Sequence, residues 1–209
     1  MLAPGHIAAY LRKAGWIARS LMTDLRYGGV LRGDIRSRYR KAGAYNVVNS
    51  PYSVLAHIFR GRIGPQDVLV DVGCGKGRVI NWWLDQGLRN RIVGLEIDPD
   101  IASAAARRLS RFGNVMIIHD DATTAVPDDA TLLYMYNPFD RAATTRFKDN
   151  LARQFRGRGI TALYWNPQWL EVFEGDPRWT TQLIELTEVS DPRIGGMDRK
   201  YAVVALRPA

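Results

Sequence analysis

Residues 68–79 of this 209-residue chain run Val-Leu-Val-Asp-Val-Gly-Cys-Gly-Lys-Gly-Arg-Val, and residues 94–98 run Gly-Leu-Glu-Ile-Asp. An apolar strand breaks into three alternating glycines, a helix follows, and a second strand ends on an acid. Gly73, Gly75 and Gly77 let the backbone turn tightly and approach a ligand that a Cβ would displace. Asp71 closes the first strand, where its carboxylate can hold the loop. Glu96 lies 19 residues after Gly77, the distance at which a strand-end carboxylate accepts hydrogen bonds from ribose hydroxyls. The chemistry within reach is the capture of a nucleoside. The glycines run G-x-G-x-G, whereas a dinucleotide site wants G-x-G-x-x-G, and Arg78 is a poor lining for a pyrophosphate turn. That spacing disfavours NAD.

These stretches resemble motif I and the following acidic motif of the class I (Rossmann-like) S-adenosylmethionine-dependent methyltransferases, in particular a small bacterial type with an Asn-Pro-Phe motif. The resemblance covers roughly residues 52–207. It implies S-adenosylmethionine as cofactor, held by Asp71, Gly73, Gly75, Gly77 and Glu96, with Asp71 approaching the methionine amine. His119-Asp-Asp-Ala122 resembles the family segment that meets adenine, which makes Asp121 the contact of the adenine amino group and Ala122 a backbone N–H donor. Tyr134-Met-Tyr-Asn-Pro-Phe139 resembles the Asn/Asp-Pro-Pro-Tyr/Phe motif of amino-directed members, with one proline in place of two. By that likeness Asn137, Pro138 and Phe139 form the acceptor site. The Asn side-chain oxygen and the Pro carbonyl take the hydrogens of the target amine, and the ring covers it. A second Asn-Pro, at Tyr164-Trp-Asn-Pro167, places Asn166 and Trp165 on the opposite wall.

The function implied is methyl transfer from S-adenosylmethionine to an amino group of a protein or small molecule, ahead of nucleic acid. The rival reading is a non-catalytic scaffold that binds S-adenosylmethionine or associates with a membrane through its N-terminal arm. Intact Gly73–Gly77, Glu96, Asp121 and Asn137 speak for the enzyme. No Walker lysine, nucleophile elbow or paired-His motif is present. The lack of an evident general base suits methyl transfer, where the cofactor carries the reactivity.

The net charge of +8 is unevenly placed. Residues 1–60 hold ten Lys and Arg against two acids, and the remaining 149 residues are balanced at 19 of each. The basic arm is expected to pack on the domain, with an anionic membrane surface or an acidic partner, bound through residues 1–41, as its alternatives. One cysteine, Cys74, excludes a disulfide framework or a thiolate cluster. It reads as a small loop residue rather than a nucleophile. His6, His57 and His119 have no ligand spacing, so no metal is expected. No run reaches the roughly 20 apolar residues of a membrane span. A reducing cytoplasm fits, with a peripheral membrane position left to the arm.

The elements that must position these residues follow from periodicity. Ile7, Tyr10, Leu11, Ala14, Ile17, Leu21, Met22 and Leu25 recur at helical steps, predicting an amphipathic helix that ends at Tyr27–Val30. Residues 31–50 read as a partly ordered connection. Ser50 and Pro51 should start a short helix to Phe59. Strands are expected near 67–72, 92–96, 114–119, 131–136 and 160–165, with helices over 76–86, 99–111, 140–155 and a piece after Pro167. Asp98 should cap the second of these helices, while Lys76 and Asp120 should face solvent. Residues 179–187 and 200–206, flanking a turn at Asp191–Gly196, should pair antiparallel. The expected fold is α/β: a Rossmann-like, seven-stranded, mostly parallel sheet with a C-terminal antiparallel hairpin and an N-terminal helical basic arm. The expected division is an arm and connection at 1–50 and a methyltransferase domain at 51–209.

Overall fold

The computed structural model describes the backbone of residues 4–187 and 199–208, and side chains from residue 14 onward, residue 16 excepted. The turn expected at Asp191–Gly196 lies outside the described residues. Seven strands form one sheet: β1 (Leu69–Val72), β2 (Ile92–Glu96), β3 (Val115–His119), β4 (Leu132–Tyr136), β5 (Ile160–Trp165), β6 (Trp179–Glu185) and β7 (Lys200–Leu206). Their order is β3-β2-β1-β4-β5-β7-β6. The first five run parallel, and β7 inserts antiparallel between β5 and β6. β1 therefore has β2 on one side and β4 on the other. The loops after β1 and β4 part there, which opens a crevice at the carboxyl ends of the strands.

Helices α2 (Tyr52–Ile58), α3 (Arg78–Asp85) and α4 (Pro99–Leu109) cover one face, burying Leu55, Ile80, Trp83 and Leu109 against the sheet. Helices α5 (Arg141–Gln154) and α6 (Glu171–Glu174) cover the other with Phe147, Phe155 and Phe173. Sheets buried on both faces read as continuous apolar runs, as β1, β2 and β5 do here. Local chemistry sets the boundaries. α3 starts at Arg78 rather than 76 because Gly75 and Gly77 sit at φ +52° and +77°, outside helical space. Asp98 caps α4 as expected, accepting from the N–H groups of Asp100 and Ile101, with Pro99 following it. Ser50 does not cap α2. Its hydroxyl pairs with that of buried Tyr134 (2.9 Å) instead.

Among its described side chains the arm packs through a mixed face, keeping Ile17 and Leu21 of the expected apolar stripe half-buried beside polar residues. Helix α1 (Pro4–Arg26) turns Ser20 and Asp24 inward, whereas Met22 and Leu25 are 70% and 59% exposed. The Asp24 carboxylate accepts from Tyr52 Oη (2.6 Å), Arg78 Nη2 (3.2 Å) and the Leu31 N–H (3.4 Å). With those partners the buried charge is compensated.

Residues 31–50 are a strap rather than a loose connection. An antiparallel bridge joins Ile35 to Val47, and a 3₁₀ turn at Arg40–Ala42 ends on Gly43 at φ +90°. The strap lies against the loop after β4: the Tyr45 N–H donates to the Pro138 carbonyl (2.9 Å), and the Asp140 N–H to that of Gly43 (2.8 Å). Arg38 reaches α4 with a fork of bonds to Asp98 (2.7 and 3.0 Å) and one to Asp100 (2.7 Å). Lys76, expected to face solvent, donates from Nζ to the carbonyls of Arg32 (2.7 Å) and Gly33 (2.6 Å).

Candidate functional site

Two adjoining cavities occupy the crevice. The first lies over the ends of β1, β2 and β4, and its wall contains Asp71, Gly73, Glu96, Asp121 and Ala122. Gly75 and Gly77 stay behind the wall. The position of a Gly75 Cβ is taken by Val47 of the strap, and that of a Gly77 Cβ by Arg108 Nη2 and Leu109. With positive φ at both, these two glycines shape the loop against protein, while Gly73 reaches the cavity. The roof is the strap, which contributes Ser37, Ala44 and Val47 among others.

Four acidic residues line this space, Asp71, Glu96, Asp98 and Asp121, and Asp98 is taken up by the α4 cap and Arg38. Asp71 is buried, and its Oδ2 has no hydrogen-bond partner among the described residues. Burial, and then the charge of Glu96, holds its carboxyl well above the usual range. Glu96 is pinned at both oxygens: Oε2 accepts from the Gly75 N–H (2.8 Å) and Oε1 from the Asp98 N–H (2.9 Å). Burial raises Glu96 too, and these backbone donors pull against the rise. A carboxylate offers about four lone-pair sites, so each oxygen can still accept from a hydroxyl. Asp121 uses Oδ1 to receive the Thr123 N–H (2.9 Å). Cys74 is buried, and burial followed by Asp71 and Glu96 pushes its thiol far up, which makes it a poor nucleophile.

The orphaned Asp71 oxygen is the test of fit for S-adenosylmethionine. A buried acceptor without a partner is costly, and the cofactor's methionine ammonium supplies a donor with the matching charge. Glu96 has the acceptor capacity that two ribose hydroxyls need. The donor set fits the cofactor.

The second cavity is open to solvent and borders the first. Tyr45, Asn46, Val48 and Tyr136 line both, and Arg40, Asn137, Asn166 and Gln168 belong to the second alone. Pro138 and Phe139 face the first. The turn from Tyr136 to Phe139 is thus the partition between the two. Asn137 and Asn166 end neighbouring strands β4 and β5, and both have positive φ, +38° and +49°. Asparagine is among the few side chains that tolerate this region. Asn137 Oδ1 accepts from Tyr164 Oη (2.8 Å), and Asn166 Oδ1 is buried without a partner among the described residues. Trp165, expected on the opposite wall, is buried behind Tyr136, the ring centroids 3.9 Å apart. It lines neither cavity, and Tyr136 presents the aromatic surface instead.

Residues 69–159 match the family model of a methyltransferase domain. Over that stretch the chain is similar to methyltransferase domains. Solved structures share its fold. An RNA methyltransferase from Salinibacter ruber in complex with S-adenosyl-L-homocysteine superposes with a TM-score of 0.52 at 21% identity, over 77% of this chain and 94% of that one. An rRNA methylase from Streptococcus thermophilus gives 0.51 at 14% identity, over 78% and 99%. Geranyl diphosphate C-methyltransferase from Streptomyces coelicolor A3(2), in complex with Mg²⁺, geranyl-S-thiolodiphosphate and S-adenosyl-L-homocysteine, gives 0.51 at 15% identity, over 76% of each chain. No curated protein matches the chain in sequence.

Sequence reasoning missed what surrounds the methyltransferase site. Arg108, in the last turn of α4, donates to the carbonyl of Tyr27 (2.6 Å), to Asn81 Oδ1 (2.8 Å) and to the carbonyl of Lys76 (2.6 Å). One guanidinium thereby ties the arm, α3 and the glycine loop together. Nothing in the local sequence marks it. The strap carried a signal that could have been read: Tyr39 sits within its basic run, and Tyr45, Asn46 and Asn49 follow that run. Among the described residues, no helix is long and apolar enough to cross a membrane.

Proposed function

We propose that the protein transfers the methyl group of S-adenosylmethionine, bound in the first cavity, to an amino group held in the second. The observation that carries this reading is the position of the Asn137–Phe139 turn, with Asn137 on one cavity and Pro138 and Phe139 on the other. On the cofactor side Asp71 receives the methionine ammonium, Glu96 the ribose hydroxyls and Asp121 the adenine amino group, with Ala122 offering its backbone N–H. Gly73, Gly75 and Gly77 give the loop its shape. When bound, the cofactor supplies an electrophilic methyl on a sulfonium.

On the acceptor side the chain's task is placement. The nucleophile must be a neutral amine with its lone pair in line with the breaking S–C bond, and holding it there supplies much of the rate. Asn137 Oδ1 and the Pro138 carbonyl each spend one lone pair, on Tyr164 Oη and the Tyr45 N–H. Each retains a second for an amine hydrogen. As the N–C bond forms and the S–C bond breaks, the electron pair leaves with sulfur and the amine becomes cationic. The residues lining the second cavity include no carboxylate or histidine, so the surplus proton leaves through the open mouth to water.

The relatives named above include an RNA methyltransferase and a C-methyltransferase of geranyl diphosphate. One fold thus serves unlike acceptors, and the second cavity decides for this chain. The test is calorimetric titration with S-adenosylhomocysteine, NAD in parallel, followed by transfer of a labelled methyl group to amine-bearing acceptors. Binding of the first compound alone, and transfer abolished by Asn137→Ala, are the expected results. Labelling that ignores Asn137→Ala overturns the acceptor assignment.

A further inference from the structure

We propose that the strap is a nucleic-acid-binding edge, and that the amino group methylated belongs to a base in a single strand. The proposal rests on the acceptor reading of the second cavity and names the molecule that fills it. It also reverses the order expected from sequence, where protein and small molecules stood ahead of nucleic acid.

The first observation is where the unspent charge lies. Of the arm's cations, Arg26 is paired with Asp85, and Arg38 with Asp98 and Asp100. Arg32, Arg36, Arg40 and Lys41 are exposed, and none makes an ion pair or side-chain hydrogen bond with another described residue. All four belong to the strap, whose one acid is Asp34. Arg40 itself borders the second cavity. Arg146 joins the same edge from α5, donating to the Ala42 carbonyl (3.2 Å). A single phosphate engages one or two such groups, whereas a strand that repeats its phosphates engages the series. Each neutralised phosphate releases counterions, so a run of unpaired cations is a measurable gain for a polyanion.

The second observation is what the cavity offers a base. Tyr136, backed by Trp165, presents an aromatic ring beside Tyr45, a platform of the kind on which bases stack. The amides of Asn46, Asn137 and Asn166 stand around it, with donors and acceptors suited to a base edge. A lysine ammonium would find no carboxylate in this lining. The neutral exocyclic amine of a base needs none, and it is already the protonation state that methyl transfer requires. A membrane surface fits less well: the two most exposed large apolar side chains, Met22 and Leu25, lie on α1, and the strap adds only Val48, which lines both cavities.

The experiment measures binding of labelled 20-nucleotide RNA and DNA single strands to the full chain by anisotropy, in S-adenosylhomocysteine and over a range of salt. The comparison is a triple variant, Arg36→Gln, Arg40→Gln and Lys41→Gln, whose melting temperature and S-adenosylhomocysteine affinity report that the fold is kept. The expected result is that a strand binds the native protein, with affinity falling as salt rises. The variant should bind at least about ten-fold more weakly, with a log–log salt slope shallower by about 2, from three lost phosphate contacts at roughly 0.7 each. The proposal is overturned if neither strand binds, or if the variant binds as the native protein does. It is also overturned if a mononucleotide or inorganic phosphate competes as well as the strand, or if phosphatidylserine vesicles bind where strands do not. Strand binding without transfer of a labelled methyl group to a base would overturn the base as acceptor together with the Asn137 reading, and leave the strap as a binding edge. Transfer to a protein amine without strand binding would strike this proposal alone.

Discussion

Asp24 and Arg78 form an ion pair inside the protein, 3.2 Å from Oδ2 to Nη2, between the last turn of the N-terminal helix and the residue that follows the glycine loop. Arg78 also lies over the Tyr52 ring at 4.6 Å, and Tyr52 Oη donates to the other Asp24 oxygen. The arm and the cofactor loop therefore share one buried polar knot. Breaking a buried pair at one end leaves a charge without compensation and costs about 3–5 kcal/mol. Asp24→Ala should lower unfolding stability by that order in urea titration. Deletion of residues 1–30, which removes Asp24, should destabilise the whole domain. If the truncated protein melts like the full chain, the knot contributes nothing and the arm is an appendage.

Glu96 has two duties that a single substitution would confound. It holds the Gly75 and Asp98 N–H groups, and in the proposed complex it accepts the ribose hydroxyls. Glu96→Ala should weaken S-adenosylhomocysteine binding by about 1–3 kcal/mol, the cost of orphaning buried hydrogen-bonding groups, and lower the melting temperature as well. Glu96→Gln keeps the volume and one acceptor oxygen, so it should recover part of both. An unchanged dissociation constant in calorimetry for either variant would remove Glu96 from the cofactor site.

How much of this was legible in the sequence depends on which interaction decides each element. The strands and the crossover helices were readable because apolar runs, Gly73–Gly77 and the Asp98-Pro99 cap act locally, and their positions came out within a few residues. The antiparallel pairing of β6 with β7 followed from the absence of a helix pattern between them, whereas the insertion of β7 beside β5 was not legible. The arm's packing face was read only in part: Ile17 and Leu21 turn inward, but apolar periodicity cannot announce that Ser20 and Asp24 are the buried positions and Met22 and Leu25 the exposed ones. The strap was misread because its order comes from long-range bonds, such as the Arg38 fork to Asp98 and the Tyr45 N–H to Pro138. Neither end of such a bond is visible in a window of a dozen residues. The cofactor residues fall on one cavity because they sit at strand ends, which the pattern gives directly. Trp165 failed as a wall residue because Tyr136, its register partner on β4, stacks over it and takes the cavity surface.

Asn137 carries backbone and side-chain roles that can be separated. Its φ of +38° disfavours alanine by roughly 1–2 kcal/mol, so Asn137→Ala mixes strain with loss of the amide. Asn137→Gly relieves the strain and still lacks the amide oxygen. If the oxygen positions the acceptor, both variants should leave S-adenosylhomocysteine affinity within about two-fold and lower kcat strongly, the signature of an interaction used in the transition state. Recovery of kcat in Asn137→Gly would mean that only the shape of the turn matters. Tyr164→Phe, which removes the hydroxyl that orients the amide, should give a smaller fall in kcat with cofactor affinity retained.

The pH dependence of cofactor binding follows from the two buried carboxylates. Asp71 is held well above the usual range and Glu96 is raised, in both cases chiefly by burial. The folded, ligand-free protein thus keeps protons that the unfolded chain gives up, so these two groups cost it stability as pH rises from the ordinary carboxylate range through the raised one. An ammonium beside Asp71 and hydroxyls on Glu96 both favour the ionised forms. Binding should therefore expel protons, and affinity should fall as pH drops through the raised values. Titration of S-adenosylhomocysteine in two buffers of different ionisation enthalpy reads this directly: the apparent heat should differ by the number of protons released. Asp71→Asn removes the more strongly raised of the two groups and should shrink the buffer difference and the pH dependence to what Glu96 contributes, while weakening binding at neutral pH. Identical heats in the two buffers would mean that Asp71 is already ionised in the free protein, and that its unpaired oxygen is satisfied by water.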